Sequence, residues 1–336
     1  MNKHLEFENI EHIKASFAKF LRSYGLVLKD LPIMDGRFQR VKVEQTKKGT
    51  PGSYKGYLEG TIPAGYVKNY YTGEESKWFY GKNSKWSDGF SVDSNTLKSS
   101  IEKSNKIKDE KIAQSYMHHS NRCSQLYKLL FNANKNNGYL TKKNLDVIKG
   151  LKEDKKGRLV IPAHDFEYKI WSLLRISPNG FKRQKKGGKL SGLFFLVNPY
   201  ENGKKLDDDL PILYSEGLST AASISLVSGF PVVVCFHAYN LVKVVKAFSK
   251  QYPTRLHLIM RDDDHARELE GKENVGKTEA LKAEKEVNNC MSYAPPFKNS
   301  EATEYTDFDD FRSVYGDEAL LKVILKGVSL IKSKFS

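Results

Sequence analysis

Apolar positions recur at helical spacing over residues 10–24, where Ile10, Ile13, Phe17, Phe20, Leu21 and Tyr24 share one face and Gly25 supplies a stop. This predicts a packed amphipathic helix. From about 37 to 91 the pattern shortens to segments rich in Tyr, Val, Trp and Phe, broken by KKGTPGS, LEG and TGEE. That spacing predicts an antiparallel β domain with tight turns and strands at RFQRVKV, YKGYL, AGYVKNYY and SKWFYG. Residues 94–135 are polar, charged and helical in composition, and gain an apolar stripe only at Tyr116, Cys123, Leu126, Tyr127 and Leu130.

Beyond this connector, NNGYLTKKNLDVIKG (136–150) predicts a turn and a short helix with Thr141 as its N-cap. RLVIPAHD and KIWSLLRIS read as strands, PNG as a turn and GLFFLV as a further strand. After residue 210 helix and strand alternate. PILYSEG and PVVVCF read as buried strands, and LSTAASISLVSG between them as a helix started by Ser219 or Thr220. NLVKVVKAFSKQY is a helix leading into the strand LHLIM, and VGKTEALKAEKEVNN a helix leading into a short strand near Tyr293. Such alternation predicts a mostly parallel sheet flanked by helices. The fold class expected is α+β and multidomain. Residues 1–93 form a helix plus a β-rich domain, 94–135 a helical connector and 136–208 a basic subdomain. An α/β domain follows over 209–300, and an acidic loop and helix over 301–336.

The chain has 336 residues, 39% of them hydrophobic, enough for two domains with real cores. No apolar run approaches the roughly 20 residues that cross a bilayer, and the N-terminus has neither signal-peptide nor transit-peptide character, so a cytoplasmic location without membrane attachment is expected. Cys123, Cys235 and Cys290 form no CxxC pair, which argues against a disulfide framework and a zinc site. His118 and His119 are adjacent on a helix, point in different directions and are expected to face solvent. Lys and Arg outnumber Asp and Glu by 55 to 40, a net charge of +15 that favours a polyanionic partner such as nucleic acid.

Candidate chemistry lies where two strands end. Glu216 terminates PILYSEG, with Gly217 permitting a tight exit, and LHLIM runs into Asp262, Asp263 and Asp264. In an open parallel sheet, ligands collect at the carboxyl ends of strands. Alternate residues of an extended segment share a side, so Asp262 and Asp264 can face one crevice while Asp263 points away. Convergent carboxylates suit hard divalent cations that also bind phosphate oxygens, with Mg2+ the natural candidate. A polar strand end before a turn would look like the triple aspartate alone; its pairing with Glu216-Gly217 favours the cation.

The segments ILYSEGLSTAASI, PVVVCFHAYNL, YPTRLHLIMRDDD, NVGKTEALKA and TDFDDF resemble, in order and spacing, the TOPRIM domain of primases carried by plasmids, phages and other mobile elements. GYLTKKNL, GRLVIPAHD and LRISPNGFKRQKKGGKLSG are similar to the subdomain that precedes TOPRIM there, and DGRFQRVKV with GTPGSYKGYLEGTIPAGYVKNYYTGEESKW resembles the N-terminal domain. The chain departs from the family pattern at His237 and Tyr239 in HAYNL, and at Asn137-Gly138. The resemblance implies catalytic and metal-binding roles for Glu216, Asp262 and Asp264. It also implies a further metal-proximal carboxylate within Asp307, Asp309 and Asp310, of which Asp310 is assigned.

The basic stretch NGFKRQKKGGKLSG carries Lys182, Arg183, Lys185, Lys186 and Lys189 around a Gly-Gly turn. Such a turn suits phosphate contact, although a solvated hairpin tip would look alike. The resemblance favours template or nucleotide contact, with Arg158 beside it. In the β domain, Tyr54, Tyr57, Tyr66, Tyr70, Tyr71, Trp78 and Trp86 are interleaved with Arg37, Arg40, Lys47, Lys48, Lys55 and Lys68. They read either as core aromatics or as a stacking platform for single strands; Arg37, Arg40 and Trp78 are assigned to nucleic acid. The implied function is that of a DNA primase, a DNA-templated RNA polymerase making short primers by metal-dependent nucleotidyl transfer. Its cofactor would be Mg2+ or Mn2+ without zinc, and its partners a single-stranded DNA template, nucleoside triphosphates and a separate replicative helicase. A TOPRIM nuclease and a non-catalytic single-strand-binding replication initiator are the alternatives.

Overall fold

The computed structural model describes residues 3–46, 48–58, 62–80, 94–197, 210–298 and 301–336, and their side chains except those of 3–9, 94–105, 107 and 108. Two compact units divide the chain, Met1–Ile112 and Ala113–Ser336. Lys47 and Trp86, both placed in the β domain from sequence, lie outside the described residues.

In the first unit α1 (Lys3–Ser23) precedes β1 (Leu26–Val27), β2 (Gln39–Val43), β3 (Gly52–Tyr57), β4 (Ala64–Asn69) and β5 (Glu75–Phe79). The strands pair antiparallel in chain order. Alternation sets the faces: β4 buries Gly65, Val67 and Asn69. Its intervening residues Tyr66 and Lys68 face outward, as a period of two requires. Phe17 of α1 lies flat on this sheet because Gly56 and Gly65 leave room for it; a Cβ on Gly56 would come 2.8 Å from the Phe17 ring. Around it Leu21, Leu26, Val43, Tyr54, Val67 and Trp78 complete the core. Trp78 is only 1% exposed and packs 4.8 Å from Phe17, centroid to centroid. Its assignment to nucleic acid is therefore corrected: the ring has no open face for a base, because the β5 alternation turns it inward.

The helix α2 (Ser94–Lys128) contains the division between the units. In the second unit β6 (Phe131–Asn132) leads to α3 (Gly138–Lys142), β7 (Lys152–Glu153), β8 (Leu159–His164), β9 (Ile170–Ile176) and β10 (Lys182–Gln184). These strands make an antiparallel sheet of order β10-β9-β8-β7-β6. The N-cap of α3 is Asn137, whose side chain accepts from the N–H groups of Tyr139 and Leu140, and not the expected Thr141. Asn is among the strongest N-caps, and Thr141 already lies within the helix. His119 is also not solvent-facing. It packs against the Gly187-Gly188 turn, and burial, followed by the charges of Lys185, Arg122 and His118, holds its imidazole below the usual range.

The last sheet combines β11 (Phe195–Val197), β12 (Ile212–Ser215), β13 (Val232–Val234), β14 (His257–Met260) and β15 (Cys290–Tyr293) in the order β11-β13-β12-β14-β15. All neighbours are parallel except the edge strand β11. The connecting helices are α4 (Leu218–Ser228), α5 (Ala238–Gln251), α6 (His265–Leu269), α7 (Val275–Glu286), α8 (Phe308–Tyr315) and α9 (Asp317–Lys334). α4 begins at Leu218 with Gly217 as its cap, ahead of the expected Ser219 or Thr220. One core packs Ala221, Ile224, Phe308, Leu320 and Ile324 from α4, α8 and α9 on one face. Leu241, Val244, Phe248, Ala280 and Ala283 from α5 and α7 cover the other. Strands buried on both faces read as unbroken apolar runs, which is why VVV and HLIM lack alternation. Among the described residues, no helix is long and apolar enough to cross a membrane.

Candidate active site

β12 and β14 are parallel neighbours, with Tyr214 opposite Ile259. The chain leaves them at the same end of the sheet, so Glu216 and Asp262, each just past its strand, are brought together. Gly276 of α7 reports how near they are. A Cβ on that residue would stand 2.8 Å from Glu216 Oε1 and 3.0 Å from the Asp262 carbonyl oxygen. Only glycine lets α7 approach this closely. Glu216 Oε1 and Asp262 Oδ1 are buried and have no hydrogen-bond partner among the described residues.

Electrostatics follow from that burial. Desolvation, then the charge of Asp264, pushes the Glu216 carboxyl up to about 7, against the pull of Lys182. Asp262 is raised well above the carboxylate range, by burial first and then by Glu216 and Asp307. Asp263 faces elsewhere, held by Arg261 Nη1 at 2.8 Å and Asn274 Nδ2 at 2.8 Å. Its backbone N–H donates to Thr306 O at 2.8 Å, docking the start of α8 against the aspartate loop.

Asp307, Asp309 and Asp310 each offer one oxygen within 4.8 Å of the others, and no other group of three metal-ligating side chains among the described residues is as tight. Their employment differs. Asp309 is committed to Lys143 Nζ at 2.6 Å and Ser223 Oγ at 2.7 Å. Asp310 accepts from the Thr306 N–H at 3.1 Å. Asp307 caps α8, accepting from the N–H groups of Asp309 and Asp310 at 2.8 Å each. Its charge is among the main ones that raise both Glu216 and Asp262. Burial, with Asp310 next, raises its carboxyl to about 6. Asp307 is thus the functional candidate that sequence reasoning left unassigned within TDFDDF. The available signal was the Asp-x-x-Asp spacing of a helix start, which puts the first aspartate at the cap.

Among the predicted cations, Lys182 reaches the acidic group. Its Nζ lies 3.5 Å from where a Gly217 Cβ would be, and it lines a cleft with Ile176, Glu216, Gly217, Leu218 and Phe236. Phe236 holds φ 72 in that lining, a costly backbone for a bulky residue and of the sort that collects at functional sites. Arg183, opposite Arg175 on β9, and Lys186 are exposed. Lys185 and Lys189 are half-buried, and Lys189 Nζ stands 5.0 Å from the ring centroid of Trp171, a residue sequence reasoning passed over. Arg158 is instead paired with Asp154, Nη2 to Oδ2 at 2.6 Å and Nε to Oδ2 at 2.8 Å. Although burial raises the Asp154 carboxyl, bonds from Arg158 and the Lys156 N–H outweigh it and hold it below its ordinary value. In the first unit Arg40 lies 4.6 Å over Tyr70, and Arg37 is loosely paired with Asp35 at 4.0 Å.

No family model matches the chain. A curated relative, DNA primase TraC of Escherichia coli, is 32% identical over 279 residues, 81% of this chain and 25% of the relative. A second Escherichia coli protein of the same name is 30% identical over 344 residues, 96% of this chain and 23% of the relative. The chain is thus similar in sequence to a part of DNA primase TraC. It spans about a quarter of the length of these TraC relatives. Among solved structures it is similar to the primase fragment of the bacteriophage T7 primase-helicase protein, with TM-score 0.39 and 14% identity over 58% of this chain and 80% of that one. The DnaG primase catalytic domain bound to single-stranded DNA gives TM-score 0.41 and 10% identity, over 64% and 80% respectively.

The donor set around Glu216 consists of carboxylate oxygens, two of them buried without a proton donor. Oxygen ligands with uncompensated charge fit a hard divalent cation.

Proposed function

We propose that the second unit is the nucleotidyl-transfer centre of a DNA primase built on a TOPRIM-type domain, joining ribonucleotides on a single-stranded DNA template. The observation that carries this reading is the pair of partnerless buried oxygens, Glu216 Oε1 and Asp262 Oδ1, at the ends of adjacent parallel strands. Left alone, such carboxylates repel one another and lose hydration, a cost that a cation offsets. Glu216, Asp262 and Asp264 would hold Mg2+ or Mn2+, with the Asp307 charge acting on Glu216 and Asp262; Asp310, through its bond to Thr306, would fix the cap that aims Asp307. The bound cation supplies charge neutralisation at the triphosphate and its pyrophosphate leaving group.

The protein's own groups do the rest. Lys182 carries its charge to the rim of the acidic group, where it attracts phosphate oxygens of the incoming nucleotide and balances carboxylate repulsion. Arg183, Lys185, Lys186 and Lys189 on the β10 hairpin attract the template backbone. Arg158, tied to Asp154, stiffens the turn that leads into β8. A separate replicative helicase that unwinds the template is part of the same reading.

The test is synthesis from labelled ribonucleotides on single-stranded templates with Mg2+ or Mn2+. Elongated products are expected from the wild-type chain, and a loss of about a thousandfold or more from Asp262→Ala and Glu216→Gln, with DNA binding retained. Full activity in both variants would overturn the site. A shortened template without new chains would replace polymerisation by hydrolysis, and binding without any turnover would leave a non-catalytic initiator.

A further inference from the structure

Among the described residues, the sheet of the first unit has one face filled by α1 and one face left uncovered. Strand register builds two rows across the open side: Arg40, Ser53, Lys68 and Glu75 in one, Lys55, Tyr66 and Lys77 in the next, with Phe38 at the end of the second. Contacts place these side chains together. Phe38 meets Tyr66 edge to face at 6.3 Å, and Lys55 Nζ lies 5.1 Å from the rings of both Phe38 and Tyr57. Arg40 and Lys68 flank Tyr70 at 4.6 and 5.3 Å. Phe38 and Tyr70 nevertheless remain 63% and 53% exposed, so ring surface stays open beside each cation. The carboxylate within these rows, Glu75, is taken up by Tyr66 Oη at 2.6 Å and Lys68 Nζ at 2.9 Å.

Open rings alternating with cations do not form a continuous apolar patch of the kind that packs another protein. They match a chain that alternates flat bases with phosphates. In a duplex the base faces are hidden by stacking, whereas an unpaired strand presents them to aromatic side chains. We infer that this open face, centred on Phe38, Tyr66 and Tyr70 with Arg40, Lys55 and Lys68, is a binding surface for single-stranded DNA. The choice of DNA over RNA rests on the template proposed above; the surface itself rests only on its geometry and charge.

The test uses the full chain carrying Glu216→Gln, so that binding is read without turnover. The probe is fluorescein-labelled oligo-dT of about 20 nucleotides, long enough for one such surface, compared with oligo-rU and an oligo-dT·oligo-dA duplex. Phe38→Ala with Tyr70→Ala should weaken oligo-dT binding about tenfold or more and leave duplex binding unchanged. Arg40→Gln with Lys68→Gln should lower the salt dependence of binding by roughly one to two counterions. Thermal melting confirms that these exposed substitutions leave the fold intact. Photo-crosslinking of iodo-deoxyuridine in the same oligonucleotide should mark Phe38, Tyr66 or Tyr70. Unchanged oligo-dT affinity, equal loss on the duplex, or crosslinks only outside these residues would each overturn the surface, and tighter binding of oligo-rU would overturn the assignment to DNA. Failure here leaves the nucleotidyl-transfer reading standing. A wild-type chain that binds oligo-dT through this face but makes no primer leaves the surface standing alone.

Discussion

Asp309 and the Glu216–Asp262 pair are inward-turned carboxylates of the same unit, handled in opposite ways. Asp309 is 1% exposed and its charge is answered: Lys143 Nζ stands 2.6 Å from Oδ2, which has that cation beside it but no geometrically aligned hydrogen bond, and Ser223 Oγ donates to Oδ1 at 2.7 Å. Glu216 and Asp262 are also turned inward, yet each keeps an oxygen with no hydrogen-bond partner among the described residues; burial and then the Asp264 charge raise the Glu216 carboxyl, and burial and then the Glu216 charge raise that of Asp262. The contrast teaches that burial of charge does not mark a site. An unanswered charge does, because the fold tolerates it only where something outside the chain supplies the counter-charge.

Within the cluster Asp307, Asp309 and Asp310, Asp307 sides with Glu216 and Asp262 while Asp310 only holds the Thr306 N–H. Asp307→Asn keeps a good helix cap while removing the charge that acts on Glu216 and Asp262. Primer synthesis should fall about a hundredfold, whereas Asp310→Asn, which retains an acceptor for the Thr306 N–H, should lose only a few-fold. Equal losses in the two variants would return Asp310 to the metal-binding group.

On the other side, Asp309→Asn should cost stability, because Lys143 loses its ion pair and the buried bond to Ser223 weakens. About 2 kcal/mol is expected in urea denaturation, the half-exposed Lys143 being able to reach water. Glu216→Gln should do the reverse in metal-free buffer. The Glu216 carboxyl sits at about 7 in the fold against an ordinary 4.5, so between those values the folded chain keeps a proton that the unfolded chain has released. Stability of the wild-type chain therefore falls as pH rises across that window. The variant should match wild type near about pH 4 and exceed it by roughly 2 kcal/mol or less near about pH 8, allowing for partial exposure. A variant less stable than wild type at the higher pH would show that Glu216 is as satisfied as Asp309.

The smallest effect belongs to Gly276. Adding a Cβ there meets Glu216 Oε1 at 2.8 Å and backbone at 3.0 Å. Gly276→Ala should shift the carboxylate by a few tenths of an ångström and lower synthesis about tenfold, with little change in DNA affinity. Unaltered synthesis would mean that the close approach of α7 is dispensable.

Periodicity alone made much of this architecture legible. The face of α1, the turn-bounded strands of the first unit and the alternation after residue 210 are local patterns, and each appears where the spacing put it. The end-of-strand positions of Glu216, Asp262 and Asp264 were legible for the same reason, since a strand's exit is written in the residues that leave it. Less was available from sequence at the start of α3, where Thr141 was expected as the cap and Asn137, four residues earlier, holds it, and at Trp78. The β5 alternation decides that ring's direction, and only the packing of Phe17 on a glycine floor says which side of the sheet is covered.

By itself, then, the sequence determined the elements, the parallel order implied by their alternation, and the places where acidic and basic residues cluster along the chain. Tertiary structure alone decided which charges are answered: Asp309 by Lys143, Asp154 by Arg158 and Glu75 by Lys68, whereas Glu216 Oε1 and Asp262 Oδ1, with Lys182 at their rim, find no hydrogen-bond partner among the described residues. Periodicity is a property of neighbours a few residues apart, so it can be read in one dimension. The energy of a buried charge depends on what stands within a few ångströms of it, and those groups come from distant parts of the chain.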